Sequence, residues 1–538
     1  MKKNTNPVCH TQILFSQHTT DSTCHTEPLG EVSNSTCHTE RREVSHNTES
    51  KRDFSPTAQN DKIVTCHTER SEVSTTTYKP SGIEWLGEIP QGWEIKKLKY
   101  IGEIFGGVTG KTIKDFSKEY KLNFKPYITF TNVCNNAVIN PDLMEYVFID
   151  SKEKQNKVLK NDILFLQSSE TFEDVGKSAI YLNDDEVYLN TFCKGFRIER
   201  EAYPMYLNYL LSSLSYKRYF MSVCSGFTRI NLRQEHFLDI PLILPPLQEQ
   251  KEIAEFLDKK CEKIQNYINK KQKLITLLQE KKQALINEAV CGRVACSRDF
   301  SPTAQNDKIV TCHTEPLGEV STTAYKPSGI EWLGEIPQGW EIKKAKGIFK
   351  EVKRSVEDND EIITCFRDGV VTLRKNRRTE GFTNSLKEIG YQGIRVNDLV
   401  IHSMDAFAGA IGVSDSNGKA TPVYVVCVPR YDDLADNKYY AYLLRNMANS
   451  GFILSLAKGI RERSTEFKYN DFADLKIPLP PLHKQKEIAA FLDSKVAQIN
   501  SVIEKTKRQI ELVKEYKNTL INEAVCGRIN FLEGILNE

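Results

Sequence analysis

Three segments carry the side chains best suited to chemistry on a nucleic acid. Gly226-Phe227-Thr228-Arg229-Ile230-Asn231-Leu232-Arg233 sets a threonine, an asparagine and two arginines within six positions. In the second half, Arg374, Lys375, Arg377 and Arg378 form a basic knot, and Arg461 and Arg463 follow Gly459. Arginine can clasp guanine and asparagine adenine at the major-groove edge, while lysine, serine and threonine commonly fix phosphates. Thr228, Arg229, Asn231, Arg233, Arg374, Lys375, Arg377, Arg378, Arg461 and Arg463 are therefore candidate contacts to a polyanion. A solvated charged loop would carry the same residue types.

Motifs for other chemistry are incomplete. Gly110-Lys111-Thr112 resembles the end of a phosphate-binding loop, but the glycine needed five positions earlier is Phe105. The proline pairs at 245–246 and 480–481 lack the preceding Asn or Asp that an amino-methyltransferase uses to hold a flipped base. His236, His402 and His483 stand alone. Cys-His-Thr recurs at Cys9, Cys24, Cys37, Cys66 and Cys312, but structural zinc needs ligand pairs spaced C-x2-4-C or H-x3-5-H, and none of these has that spacing. The recurrence reads instead as a translated repetitive element. No catalytic residue, metal or cofactor is assigned.

Composition sets the outer limits. The chain has 538 residues, 40% of them hydrophobic and 27% charged, which gives room for two to four domains. With 73 Lys plus Arg against 71 Asp plus Glu, no global charge draws it to nucleic acid, so any such affinity must be local. Fourteen scattered cysteines suggest free thiols in a reducing compartment. No run reaches the roughly 18 apolar residues of a membrane span, so a cytoplasmic protein is expected.

The elements that must position the candidates come in two copies. Tyr78–Glu94 reads YKPSGIEWLGEIPQGWE, and Tyr325–Glu341 repeats it without substitution. IPLILPPLQEQKEIAEFLD begins at Ile240 and IPLPPLHKQKEIAAFLD at Ile477, and both blocks close on LINEAVCGR. Between these bookends lie inserts of about 145 and 135 residues with little identity. One scaffold presenting two different readers is the simplest account of like frames around unlike contents.

Within the inserts, PYITFTNV (126–133), DILFLQ (162–167), DLVIHS (398–403) and PVYVVCV (422–428) read as strands, and 206–219 and 438–454 as helices, which makes each an α+β globule. After each Pro-Pro pair the period becomes that of a long helix. Leu257, Cys261, Ile264, Ile268, Lys271, Ile275, Leu278, Lys282, Leu285 and Ala289 follow steps of four and three. Adding 235 gives Leu492, Val496, Ile499, Ile503, Thr506, Ile510, Val513, Lys517, Leu520 and Ala524. That is a coiled-coil seam held over more than four heptads, and the two rods fit best against each other. Gly292 and Gly527 stand where C-terminal caps belong. Lysines such as Lys259, Lys263, Lys270, Lys273 and Lys281 suit an outer, solvated face.

The repeated Pro-Pro block, the helix ending in LINEAVCGR, the IPQGWE opening, the GGVTGKTIKDFSKEYKLNFKPYITFTNV stretch and NDILF at Asn161 together resemble the specificity subunits of type I restriction-modification systems. In the second half NDLVI at Asn397 is present, while FKEVKRSVEDNDEIITC replaces the Gly-rich stretch. The resemblance covers about 78–294 and 325–531. It implies an α+β chain with two globular target-recognition domains separated by two long helices packed as an antiparallel coiled coil, related by an internal pseudo-two-fold. Its expected divisions are a disordered repeat-rich tail (1–77), recognition domains (78–247 and 325–481), spacer helices (248–292 and 482–527), a flexible joint (293–324) and a C-terminal tail (528–538).

The implied function is non-catalytic. Each domain would read one half of a split, asymmetric site in double-stranded DNA, and the helices would set the spacer. Two methyltransferase subunits would dock on the helices, with restriction subunits joining through them and no membrane involved. A coiled-coil scaffold without nucleic acid, or an inactive rearranged specificity subunit, remains the alternative.

Overall fold

The computed structural model describes residues 77–226, 229–294, 324–377, 388–456 and 466–529. The expected tail, most of the joint between the halves, the C-terminal residues beyond 529 and all five Cys-His-Thr copies lie outside the described residues. Fold is set by two helices of 44 residues, Leu247–Val290 and Leu482–Val525. At 1.5 Å per residue each is a rod about 66 Å long.

The rods run antiparallel. Leu257 and Cys261, near the start of the first, share a core with Leu520, Ala524 and Val525 at the end of the second. Ile286, Ala289 and Val290 at the end of the first meet Ile488, Ala489 and Leu492 at the start of the second. Between these, Ile268, Ile275, Ile503 and Ile510 form a central cluster edged by Ile264, Leu278, Ile499 and Val513. Leu285 and Val496 pack on the second domain's core. Burying each isoleucine contributes about 1.5–3 kcal/mol. The polar seam positions have separate solutions: Thr506 donates its hydroxyl to the Val502 carbonyl at 2.7 Å, and Lys282 donates to Asn500 across the pair at 3.0 Å. Burial, and then Arg445 and Lys507, push the Lys282 ammonium below its ordinary value.

Each insert leaves the frame through adjacent strands. Glu94–Lys97 pairs antiparallel with Pro241–Leu244, and Glu341–Lys344 with Lys476–Leu479, so both ends of an insert are stapled side by side at the foot of a long helix. Despite their unlike sequences the inserts share one sheet. In the first, the strand order is Ser178–Ile180, Ile163–Leu166, Cys193–Ile198, Gly102–Gly106; in the second, Ile411–Val413, Leu399–His402, Tyr424–Pro429, Phe349–Glu351. The repeated Asn-Asp turn explains itself here. Asn161 and Asn397 take φ of 72° and 71°, a conformation asparagine tolerates. Asp162 and Asp398 then accept the amides of Leu159 and Arg395 and bind Arg197 and Arg354. The rest of each insert differs: the first adds a second four-stranded sheet, the second a hairpin, Ile363–Cys365 with Val371–Leu373, and a separate antiparallel pair, Gln392–Ile394 with Gly418–Ala420.

Three sequence expectations need correction. The stretch 126–133 is not one strand: Phe124–Ile128 is followed by a helix, Phe130–Asn135, because the Thr129 side chain accepts the Asn132 amide and caps it. The helix expected over 206–219 breaks into Pro204–Ser212 and Leu214–Val223 at extended Ser213. The second-half helix likewise splits into Asn437–Asn449 and Phe452–Leu456 at Gly451, whose φ is 79°.

Candidate nucleic-acid interface

Frame residues fix the two domains by the same bonds in both halves. Gln250, buried at the start of the first rod, donates to the Pro245 carbonyl at 2.8 Å and accepts the Tyr203 amide at 2.9 Å. Gln485 repeats this with Pro480 and Asp436 at 2.8 Å each. Asn522 at the end of the second rod accepts from Ser215 of the first domain, and Asn287 at the end of the first accepts from Asn446 of the second. Each domain therefore grips the start of its own rod and the end of the other.

The N-terminal hairpins close the frame crosswise. Tyr78 donates its hydroxyl to the Gly527 carbonyl at 2.9 Å, while Tyr325 donates to Gly292 at 3.1 Å. Both glycines hold left-handed φ, 71° and 72°, at the ends of rods whose last carbonyls are capped by the Arg528 and Arg293 amides. The hairpin of one half thus seats on the rod of the other.

The candidate contacts fall into different situations. Arg229 is exposed, and its guanidinium lies over the Phe192 ring, 4.4 Å from the centroid. Asn231 sits in a two-residue strand paired with Ser168–Ser169 and spends its side-chain amide on the Arg229 carbonyl at 3.1 Å. Arg233, 70% exposed, reaches Glu235 at 3.4 Å. In the second domain the knot is internally partnered. Arg374 donates to Thr364 at 3.3 Å, and Lys375 pairs with Glu361 at 2.5 Å. Arg377 stacks on Phe366 and pairs with Asp368, a hydrogen bond that raises its guanidinium above the ordinary value. Thr228, Arg378, Arg461 and Arg463 lie outside the described residues.

The histidines have ordinary surroundings. His402 is packed edge-on against Tyr424, and burial pushes its imidazole below the usual value. His236 accepts the Arg233 amide, and His483 is exposed. Among the described residues no cluster of His, Cys, Asp or Glu is grouped to hold a metal, and no helix is long and apolar enough to cross a membrane. The sequence pattern missed Phe192, Gln250 and Gln485. For the glutamines a signal existed, since each stands four residues after the second proline of a repeated block.

A family model described as the type I restriction modification DNA specificity domain matches residues 90–278 and again 337–512. The chain belongs to this family. Each match runs from the last residue of an N-terminal hairpin through a domain into a long helix, so the family unit occurs twice. The chain is 24% identical over 469 residues to the MjaIX type I restriction enzyme specificity subunit of Methanocaldococcus jannaschii, covering 83% of this chain and 96% of that one. It is 23% identical over 461 residues to the StySPI specificity subunit of Salmonella potsdam, covering 82% and 90%. The fold is similar to that of a chain solved in work on complex assembly and conformational transition of the type I restriction-modification system. The TM-score is 0.56 at 14% identity, over 82% of this chain and 99% of that one. The architecture expected of a specificity subunit is thus present, with two recognition domains on an antiparallel helix pair.

Proposed function

We propose that this specificity subunit reads a split DNA site without catalysis of its own, within a cytoplasmic restriction-modification complex. Residues 78–247 and 325–481 each read one half-site in double-stranded DNA. Helices 248–292 and 482–527 fix the unread spacer and dock two methyltransferase subunits, through which restriction subunits join. The observation that carries this is the mounting: two domains with a common sheet and different outer parts are held at opposite ends of one rigid pair by matching bonds from Gln250 and Gln485. Rigid separation of two readers translates into half-site spacing along a duplex. Unlike readers imply unlike half-sites.

The spacer role has a direct test. One heptad inserted at the middle of both helices, beside Ile275 and Ile510, preserves the seam and separates the domains by about 10.5 Å. The spacer of the methylated motif should widen by about three base pairs, at about 3.4 Å each. An unchanged spacer would refute the ruler.

Docking draws support from apolar side chains turned away from the seam. Leu277 and Leu512, related by the repeat, are 51% and 47% exposed, and Tyr267 and Tyr516 are 40% and 59% exposed. Leu277→Asp is expected to weaken methyltransferase association roughly tenfold or more. The check is titration of the purified subunits, with helical content by circular dichroism as control; equal affinity would place the docking face elsewhere.

A further inference from the structure

A cleft of about 460 Å³ opens in the first domain where Ser168–Ser169 pairs with Ile230–Asn231. Most polar groups around it are committed. Asn190 donates to the Tyr127 hydroxyl at 2.6 Å and accepts the Phe192 amide at 2.9 Å. Thr171 donates to Asp174, which is paired with Lys177. Two charged groups in the lining are not committed: the Arg229 guanidinium and the Glu170 carboxylate are both exposed, and neither forms an ion pair among the described residues. Phe192, 44% exposed, holds the guanidinium on its face and leaves the N–H edges free.

The pairing of charges selects the ligand. A phosphate would take the arginine but be repelled by the carboxylate in the same lining, so a backbone contact is disfavoured. The major-groove edge of a G·C pair suits both: guanine O6 and N7 accept from the arginine fork, and cytosine N4 donates to the carboxylate. An A·T edge offers no two adjacent acceptors to the fork.

We propose that Arg229 and Glu170 read one G·C base pair in the major groove, with Phe192 fixing the arginine. This deepens the reading of the first domain as a DNA reader and rests on it. Among the described residues, the Gln167 amide bonds the Phe192 carbonyl as the Ser403 amide bonds that of Val423, which puts Val423 in the place of Phe192 in the second domain. Valine offers no ring face to a guanidinium.

The test uses the full chain co-expressed with its methyltransferase partner, with methylated positions mapped across host DNA for the unchanged chain, Arg229→Ala, Arg229→Lys and Glu170→Ala. Arg229→Ala should relax one G·C position of one half-site by roughly ten- to a hundredfold in discrimination. Arg229→Lys, which keeps charge but loses the fork, should not restore it, and Glu170→Ala, which removes the acceptor for cytosine N4, should relax the same position. Uniformly weaker methylation with an intact motif would mark a phosphate contact and overturn the proposal, as would relaxation at an A·T position. If Arg229→Ala fails to assemble, Glu170→Ala decides, because it removes the acceptor from an exposed side chain without an ion-pair partner; an unaltered motif there overturns the assignment. A motif that is not split in the unchanged chain would count against the two-reader function itself. A split motif untouched by these substitutions would remove only the Arg229–Glu170 assignment.

Discussion

Exchanging residues 95–239 for the insert of another specificity subunit should replace one half of the recognised motif and leave the other half and the spacer unchanged. The insert begins and ends on paired strands, Glu94–Lys97 with Pro241–Leu244, so a graft needs only to restore that ladder. It must also supply three anchors to the rods. These are the Tyr203 amide on Gln250, the Tyr206 hydroxyl near the Ile243 and Val525 carbonyls, and Ser215 on Asn522. The second domain meets the same rod positions with Asp436, Tyr439 and Asn446. Different sequences can therefore make equivalent attachments. Mapping methylated bases before and after the exchange measures the outcome, and a change in both half-sites would contradict independent reading.

Gly527→Val should cost about 2–5 kcal/mol of stability. The residue sits at φ 71°, where a β-branched side chain adds about 1–2 kcal/mol. A Cβ there would lie 2.4 Å from the Pro90 ring and 2.9 Å from Trp93, and relieving such overpacking costs about 1–3 kcal/mol more. Trp93 is 2% exposed and its indole N–H donates to Glu249, so it has little room to retreat. Gly292→Val should behave similarly, since its Cβ would stand 2.7 Å from both Pro337 and Trp340. Calorimetry of the single and double variants checks this. A loss below about 1 kcal/mol in both would show that the hairpins do not seat on the rod ends.

Much of the frame was readable because repetition and the heptad period depend only on spacing. The seam residues Ile268, Ile275, Ile503 and Ile510 could be written down in order, and both cap glycines stood at the predicted ends. Which hairpin caps which rod could not be read, because Tyr78 and Gly527 are 449 positions apart and meet only once the rods pair antiparallel. Local competition hid other features. β-branched residues around 126–133 suggested a strand, yet one hydroxyl at Thr129 turned the chain into a helix. Charge runs were ambiguous for a physical reason: Arg374, Lys375 and Arg377 look like a patch in sequence, but the fold brings Thr364, Glu361 and Asp368 to them. The converse holds for Arg229, whose partner Phe192 is remote in sequence.

The most direct test of two unlike readers on one rigid pair is to co-express the chain with its methyltransferase partner and map every methylated base in host DNA by single-molecule sequencing. The predicted result is one motif made of two different half-sites separated by a spacer of fixed length and free sequence, absent when either protein is expressed alone. A continuous or palindromic motif, or methylation by this chain without its partner, would contradict it.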